Sequence, residues 1–229
     1  MSATADKRSP MEIQIDASVR QCWPETRLGV LTFAVEVQKE APGLAERMAS
    51  CLPSLRARME ETPFASWPNL AESRAAFRAC GKDPGRYRVS SEALLRRIRQ
   101  GKDLYQINSV VDVNNLISLT SGFSLGSYDR DRLEGPLVLR CGKDGESYEG
   151  IGKGSVNLAG LPLLADARGP VGSPCSDSPR AMITETTRRC LCLVYGFSSR
   201  AALEAAVAEA AEAFASLSGA SDMRSWIVE

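Results

Sequence analysis

Apolar and polar positions alternate in the two earliest patterned segments of the chain. EIQID at 12–16 and RLGVLTFAVEV at 27–37 are rich in β-branched residues and bounded by Pro24 and Ala41-Pro42-Gly43, which predicts two strands. The period then lengthens: Leu44, Met48, Leu52, Leu55 and Met59 recur about once per helical turn. Pro53 is expected to divide this helix, because an interior proline loses a hydrogen bond and clashes with the preceding turn. Leu70, Ala76, Phe77 and Cys80 mark another helix, with Asn69 and Glu72 at capping-box spacing and Gly81 as its stop. A further helix begins at Ser90 or Ser91, aligns Leu94, Leu95 and Ile98, and ends near Gly101.

From residue 108 the pattern changes. NSVVDVNNLISL reads as a short buried helix ended by Gly122. A glycine-rich stretch to about residue 197 follows, with strand-like pieces at 136–141, 147–151, 162–166 and 190–197. These predict a compact mixed or barrel-like β core. Gly150-Ile-Gly-Lys-Gly-Ser155 lacks the spacing of a phosphate-binding loop and reads as a hairpin turn. Ser198 or Ser199 caps an alanine-rich amphipathic helix, and residues 218–229 read as a tail. The expected class is therefore α+β. A disordered leader at 1–10 precedes one domain at 11–217, composed of an N-terminal α/β extension (11–107), a β core (108–197) and a C-terminal helix (198–217). No internal repeat is visible.

Composition narrows the chemistry. The 229 residues hold 28 basic and 28 acidic side chains and no histidine. Imidazole-based nucleophile pairs, metal ligands and pH switches are thereby excluded. No apolar run approaches the roughly 18 residues that span a bilayer, and the first residues lack the apolar stretch of a signal peptide, so a cytoplasmic protein is expected. The seven cysteines are scattered, and only Cys190 and Cys192 are close in sequence. Core thiols are the expected reading, with no metal and no cofactor.

Charge is uneven despite the zero balance. Residues 74–102 carry nine basic side chains, Arg96, Arg97 and Arg99 among them, against Asp83 and Glu92. With Tyr87 and Tyr105 nearby, this stretch suits either phosphate contacts with base stacking or a solvated helix face.

Three further features carry candidate chemistry. Gly169 to Ser178 holds two glycines, three serines and two prolines, a loop whose amides can face an anion or an oxyanion, or simply lie on the surface. Cys175 within it has no histidine to activate it and reads as a structural thiol. Asn114 and Asn115 lie in an apolar run, where buried amides either tie down backbone or reach a polar pocket. Glu185 is either a solvated charge or a reader of an ammonium or hydroxyl group.

The segment Asn108 to Leu133, the Gly169–Ser173 and Ser176–Ser178 loop, and the strand-like Ile183-Thr-Glu185 resemble, in order and approximate spacing, the B3/B4 editing module of the phenylalanyl-tRNA synthetase β subunit. The pattern FRACGKDPGRYRVSSEALLRRI at 77–98 makes the chain resemble freestanding proteins that carry this module. The resemblance implies the barrel-like B3/B4 fold and hydrolysis, in trans, of the ester in mischarged aminoacyl-tRNA. A positioned water and oxyanion donors would suffice for that activated ester. On this reading Asn114, Asn115, Gly172 and Ser173 are the catalytic positions, and Gly126, Gly169, Glu185 and Ser118 surround the substrate. Arg96, Arg97, Arg99, Arg180 and Arg188 would touch tRNA phosphates; no membrane is implied. The synthetase commonly has histidine where Gly126 stands, and the loop from Gly172 to Glu185 is about three residues shorter here. The rival expectations are a non-catalytic RNA-binding module of the same fold and a binder or hydrolase of small amino-acid esters.

Overall fold

The computed structural model describes residues 11–229, so the leader expected at 1–10 lies outside the described residues. Eleven strands and six α-helices follow in the order β1 (Ile13–Ile15), α1 (Ala17–Cys22), β2 (Arg27–Ala34), α2 (Leu44–Glu61), α3 (Pro68–Ala79), α4 (Ser90–Arg99), α5 (Ser109–Ser121), β3 (Ser124–Asp129), β4 (Leu137–Cys141), β5 (Ser147–Gly150), β6 (Gly154–Asn157), β7 (Pro162–Asp166), β8 (Gly169–Ser173), β9 (Ser176–Asp177), β10 (Arg189–Gly196), α6 (Arg200–Ser218) and β11 (Ser221–Val228). The strands form a five-stranded sheet β1-β4-β7-β8-β9, a four-stranded sheet β11-β2-β10-β3 and the hairpin β5-β6. The fold is α+β, as expected, with sheets that are not closed and a C-terminal helical layer from α6.

The two-residue period of β2 and β10 divides the interior. Leu28 and Val30 of β2, with Leu191, Leu193 and Tyr195 of β10, join one core with Leu137, Leu139 and Leu163 of the five-stranded sheet. Leu31 and Phe33, with Cys190, Cys192 and Val194, face the other way into a second core filled by α5 and α6. β2 and β10 are thus buried on both faces, as their nearly continuous apolar sequences require, whereas the edge strand β11 has no buried residue. α3 and α4 close the first core through Leu70, Phe77, Leu95 and Ile98.

Several local expectations change. Pro53 lies inside an unbroken α2, on its exposed side, where the carbonyl it leaves without a donor can be met by water. The capping box at 69–72 does not form, because Pro68 occupies the first helical turn and Trp67 is the N-cap. Asn69 instead donates to the Ser121 carbonyl at 2.7 Å and accepts from Ser198 Oγ at 2.9 Å. α4 begins at Ser90 without a side-chain cap. The expected tail is β11, antiparallel to β2 along the sheet edge.

Candidate functional site

The sequence-selected residues fall into separate places. Gly126 lies on β3 and Gly172 on β8, and the gap between them is filled by one side chain. A Cβ added at Gly126 would lie 2.5 Å from Tyr128 Oη, and one added at Gly172 would overlap both Tyr128 Oη and Asp177 Oδ1. Both positions therefore need glycine for close approach. Tyr128 Oη donates to Asp177 Oδ1 at 2.7 Å and lies 2.8 Å from Tyr195 Oη, the two tyrosines being fully buried. No imidazole would fit at 126 beside this phenol.

Asp177 holds the unusual proton of the site. Burial pushes its carboxyl up to about 7, outweighing the bond from Tyr128, the backbone bond from Ser173 and the nearby Lys153. Tyr128 and Tyr195 are raised too, first by burial and then by the Asp177 charge. Because the folded value of Asp177 exceeds the ordinary carboxylate value of 3.8, the unfolded chain releases this proton first. Stability from the group is complete at low pH and falls as pH rises from about 4 to about 7. Asp177→Asn keeps an acceptor for Tyr128 and removes the titration. Its stability relative to wild type, from urea unfolding across that window, is expected to improve by an amount on the order of a few kcal/mol; a pH-independent difference would contradict the assignment.

The edge of this cluster is a tight turn. Ser173 Oγ donates to the Ser176 carbonyl at 2.9 Å and accepts from Tyr148 Oη at 3.2 Å and from the amides of Cys175 and Ser176 at 3.3 Å. Its hydroxyl therefore shapes the turn. Tyr148 also reaches the Ser176 carbonyl, and Lys153 Nζ holds that of Cys175 at 2.8 Å. The loop expected at 169–178 is thus the β8-β9 hairpin. Burial raises Cys175 to about 12, in line with a structural thiol. The N-terminus of α4 docks here, with the Ser90 amide on the Pro174 carbonyl at 2.7 Å and Ser91 Oγ 3.0 Å from Ser124 Oγ.

The two asparagines divide the roles left open for them. Asn114 Nδ2 donates to the Leu125 carbonyl and its Oδ1 accepts from Ser127 Oγ at 2.9 Å, tying α5 to the helix-facing side of β3. Asn115 lines a groove of about 280 Å³ between α2 and residues 102–106, with Leu44, Met48, Leu52 and Asp112. Burial raises the Asp112 carboxyl, although the Ile107 and Asn108 amides oppose it. Ser118 Oγ is buried with no hydrogen-bond partner among the described residues. Gly169 begins β8 at the far end of the strand from Ser173. Glu185 is exposed on a turn strapped to the end of β3 by Thr187 Oγ1 donating to Asp129 at 2.9 Å and by a bridge between Tyr128 and Met182.

The arginines are also unequal. Arg180 makes a double bond-pair to Asp166, at 2.8 and 2.9 Å, and reaches the Gly169 carbonyl. Arg96 and Arg74 both bind the fully buried Glu92. Arg97 stacks on Tyr105, 3.9 Å from the ring centre, and binds its hydroxyl and the Asp103 carbonyl. Arg99 lies 5.1 Å over Phe64, and Arg188 holds the carbonyls of Glu185 and Thr187. Sequence reasoning had no signal for the Tyr128-Asp177 pair, whose members are 49 residues apart.

Known proteins resemble parts of the chain. A stretch of 89 residues is 36% identical to the phenylalanine-tRNA ligase beta subunit of Bartonella henselae, covering 38% of this chain and 11% of that protein. The Brucella abortus beta subunit is 32% identical over 68 residues, covering 29% of this chain and 8% of its own length. The chain thus spans about a tenth of these curated relatives. The crystal structure of an N-terminal fragment of the Pyrococcus horikoshii phenylalanyl-tRNA synthetase beta subunit shares the fold, with a TM-score of 0.54 at 14% identity, over 94% of this chain and 51% of the fragment. No helix among the described residues is long and apolar enough to cross a membrane. The B3/4 domain family matches residues 72–217, nearly two-thirds of the sequence and the stretch that contains Gly126, Tyr128, Gly172, Asp177 and Glu185, and the chain belongs to that family.

Proposed function

We propose that the protein is an aminoacyl-tRNA editing-type hydrolase acting in trans, which cleaves the ester of mischarged tRNA with a positioned water. The family match over 72–217 carries this reading. Within that stretch Asp177 holds a carboxyl raised to about 7 beside Gly172, where an added Cβ would overlap its Oδ1. A group poised near neutral pH can take a proton from water and return it to the leaving ribose oxygen. We assign this proton-holding role to Asp177, with Gly126 and Gly172 setting the shape around it. Glu185 would read a polar group on the amino acid from the adjoining turn. Exposed Arg78, Arg86, Arg88 and Arg99 supply the surface for tRNA phosphates.

One observation favours the second reading, a non-catalytic tRNA-binding module: the Tyr128 hydroxyl occupies the space between Gly126 and Gly172. The two readings separate by experiment. An editing hydrolase accelerates ester loss from at least one member of a panel of mischarged tRNAs, and Glu185→Ala changes which member is preferred. A binding module retains charged and uncharged tRNA equally, with salt-sensitive affinity, and leaves every ester intact.

A further inference from the structure

Three cysteines far apart in sequence meet at one point. Cys22 ends α1, Cys80 follows the last residue of α3, and Cys141 ends β4. Their sulfur atoms all lie within 4.8 Å of one another. Each is held by a different element: the Cys141 amide donates to Ser18 Oγ at 3.1 Å, the Cys80 amide to the Ala76 carbonyl at 3.0 Å, and Cys22 rides on a helix whose Val19 is fully buried. Cys80 is buried, whereas Cys22 and Cys141 are half-buried, so one side of the cluster remains open to entry. The other four cysteines do not join it; Cys175, Cys190 and Cys192 are the core thiols expected from the sequence.

We propose that Cys22, Cys80 and Cys141 form a three-sulfur site for a thiophilic d10 metal ion, Zn²⁺ or Cu⁺. Metal-sulfur bonds near 2.3 Å place three thiolates about 3.8–4.0 Å apart around one ion, a contraction of under about 1 Å from the limit seen here. An all-sulfur donor set selects soft or borderline ions over Mg²⁺ or Ca²⁺. A bound ion displaces the protons of the thiols it takes as ligands. The site is built from other residues than Asp177 and Tyr128, and its test is independent of the hydrolase reading.

The test titrates the full chain, anaerobically and reduced, with Zn²⁺ and separately with Cu⁺, each against a chromophoric chelator. One equivalent per chain is expected for at least one ion, and the ion retained identifies the occupant. Cys22→Ser is expected to weaken that binding more than about 100-fold, while Cys51→Ser leaves it unchanged. Because a serine substitution at buried Cys80 can impair folding, wild-type protein gives a second readout. Bound metal should slow alkylation of Cys22 and Cys141 by ~10-fold or more and leave that of Cys51 unaffected. Equal metal uptake by Cys22→Ser and wild type, or unprotected Cys22 and Cys141 at saturating metal, would overturn the proposal. So would conversion of the cluster to a disulfide by peroxide at the same rate with and without the ion.

Discussion

Gly172→Ala is expected to destabilise the protein by about 3 kcal/mol, at the upper end for forcing one methyl group into a packed interior. Its Cβ would overlap Asp177 Oδ1 and Tyr128 Oη and lie 2.9 Å from Tyr128 Cε1. The ring cannot retreat, because Tyr128 is fully buried and its hydroxyl is shared with Tyr195. Neither obstacle is the free end of a flexible surface side chain. Urea unfolding of the single variants and of the combination with Tyr128→Phe gives the coupling. Removing the hydroxyl should recover about 1 kcal/mol of the alanine penalty, since residues in contact are not additive. An additive pair would mean that the penalty arises elsewhere.

Arg180→Ala is expected to cost about 3 kcal/mol at pH 7. The guanidinium makes two bonds to Asp166, whose side chain is fully buried, and its loss strands a carboxylate that retains only the Glu134 and Arg168 amides. Burial would raise the Asp166 carboxyl, but the Arg180 bonds and those amides overcome it and hold it below its ordinary value. For a lowered carboxylate the stabilisation is present above the unfolded value of 3.8 and fades as pH falls through the folded one. The cost of the substitution should therefore shrink below about pH 4. Chemical unfolding at pH 7 and pH 3.5 measures it. A variant as stable as wild type at pH 7, but weakened for tRNA, would give Arg180 the phosphate-contacting role its sequence position suggests.

Patterns of a single element are legible in the sequence, and contacts between elements are not. The helices at α5 and α6 and the strand at β10 announce themselves by periodicity and length. β11 does not, because SDMRSWIV mixes polar and apolar residues and becomes a strand only by pairing with β2. β3 was likewise hidden behind glycine and serine. Pro53 misleads because its cost depends on whether the freed carbonyl faces water. Asn69 misleads because its amide serves a contact 52 residues away rather than its own helix. At the candidate site, Gly126 and Gly172 were reachable through family resemblance, whereas Asp177 and Tyr128 gain their meaning only from burial against each other. The three-cysteine cluster is similar: separations of 58 and 61 residues give no knuckle spacing, yet the ends of α1, α3 and β4 bring the sulfurs together.

The most direct test of the proposed chemistry is ester decay in a panel of mischarged tRNAs at neutral pH, with wild-type protein, Asp177→Asn and no protein. If Asp177 holds the reactive proton, wild type accelerates decay of at least one aminoacyl ester, and the variant lowers that rate by roughly 10²- to 10⁴-fold, the usual contribution of a general acid-base group, without weakening tRNA retention. Decay of every ester at the protein-free rate, or an undiminished rate with Asp177→Asn, would contradict it.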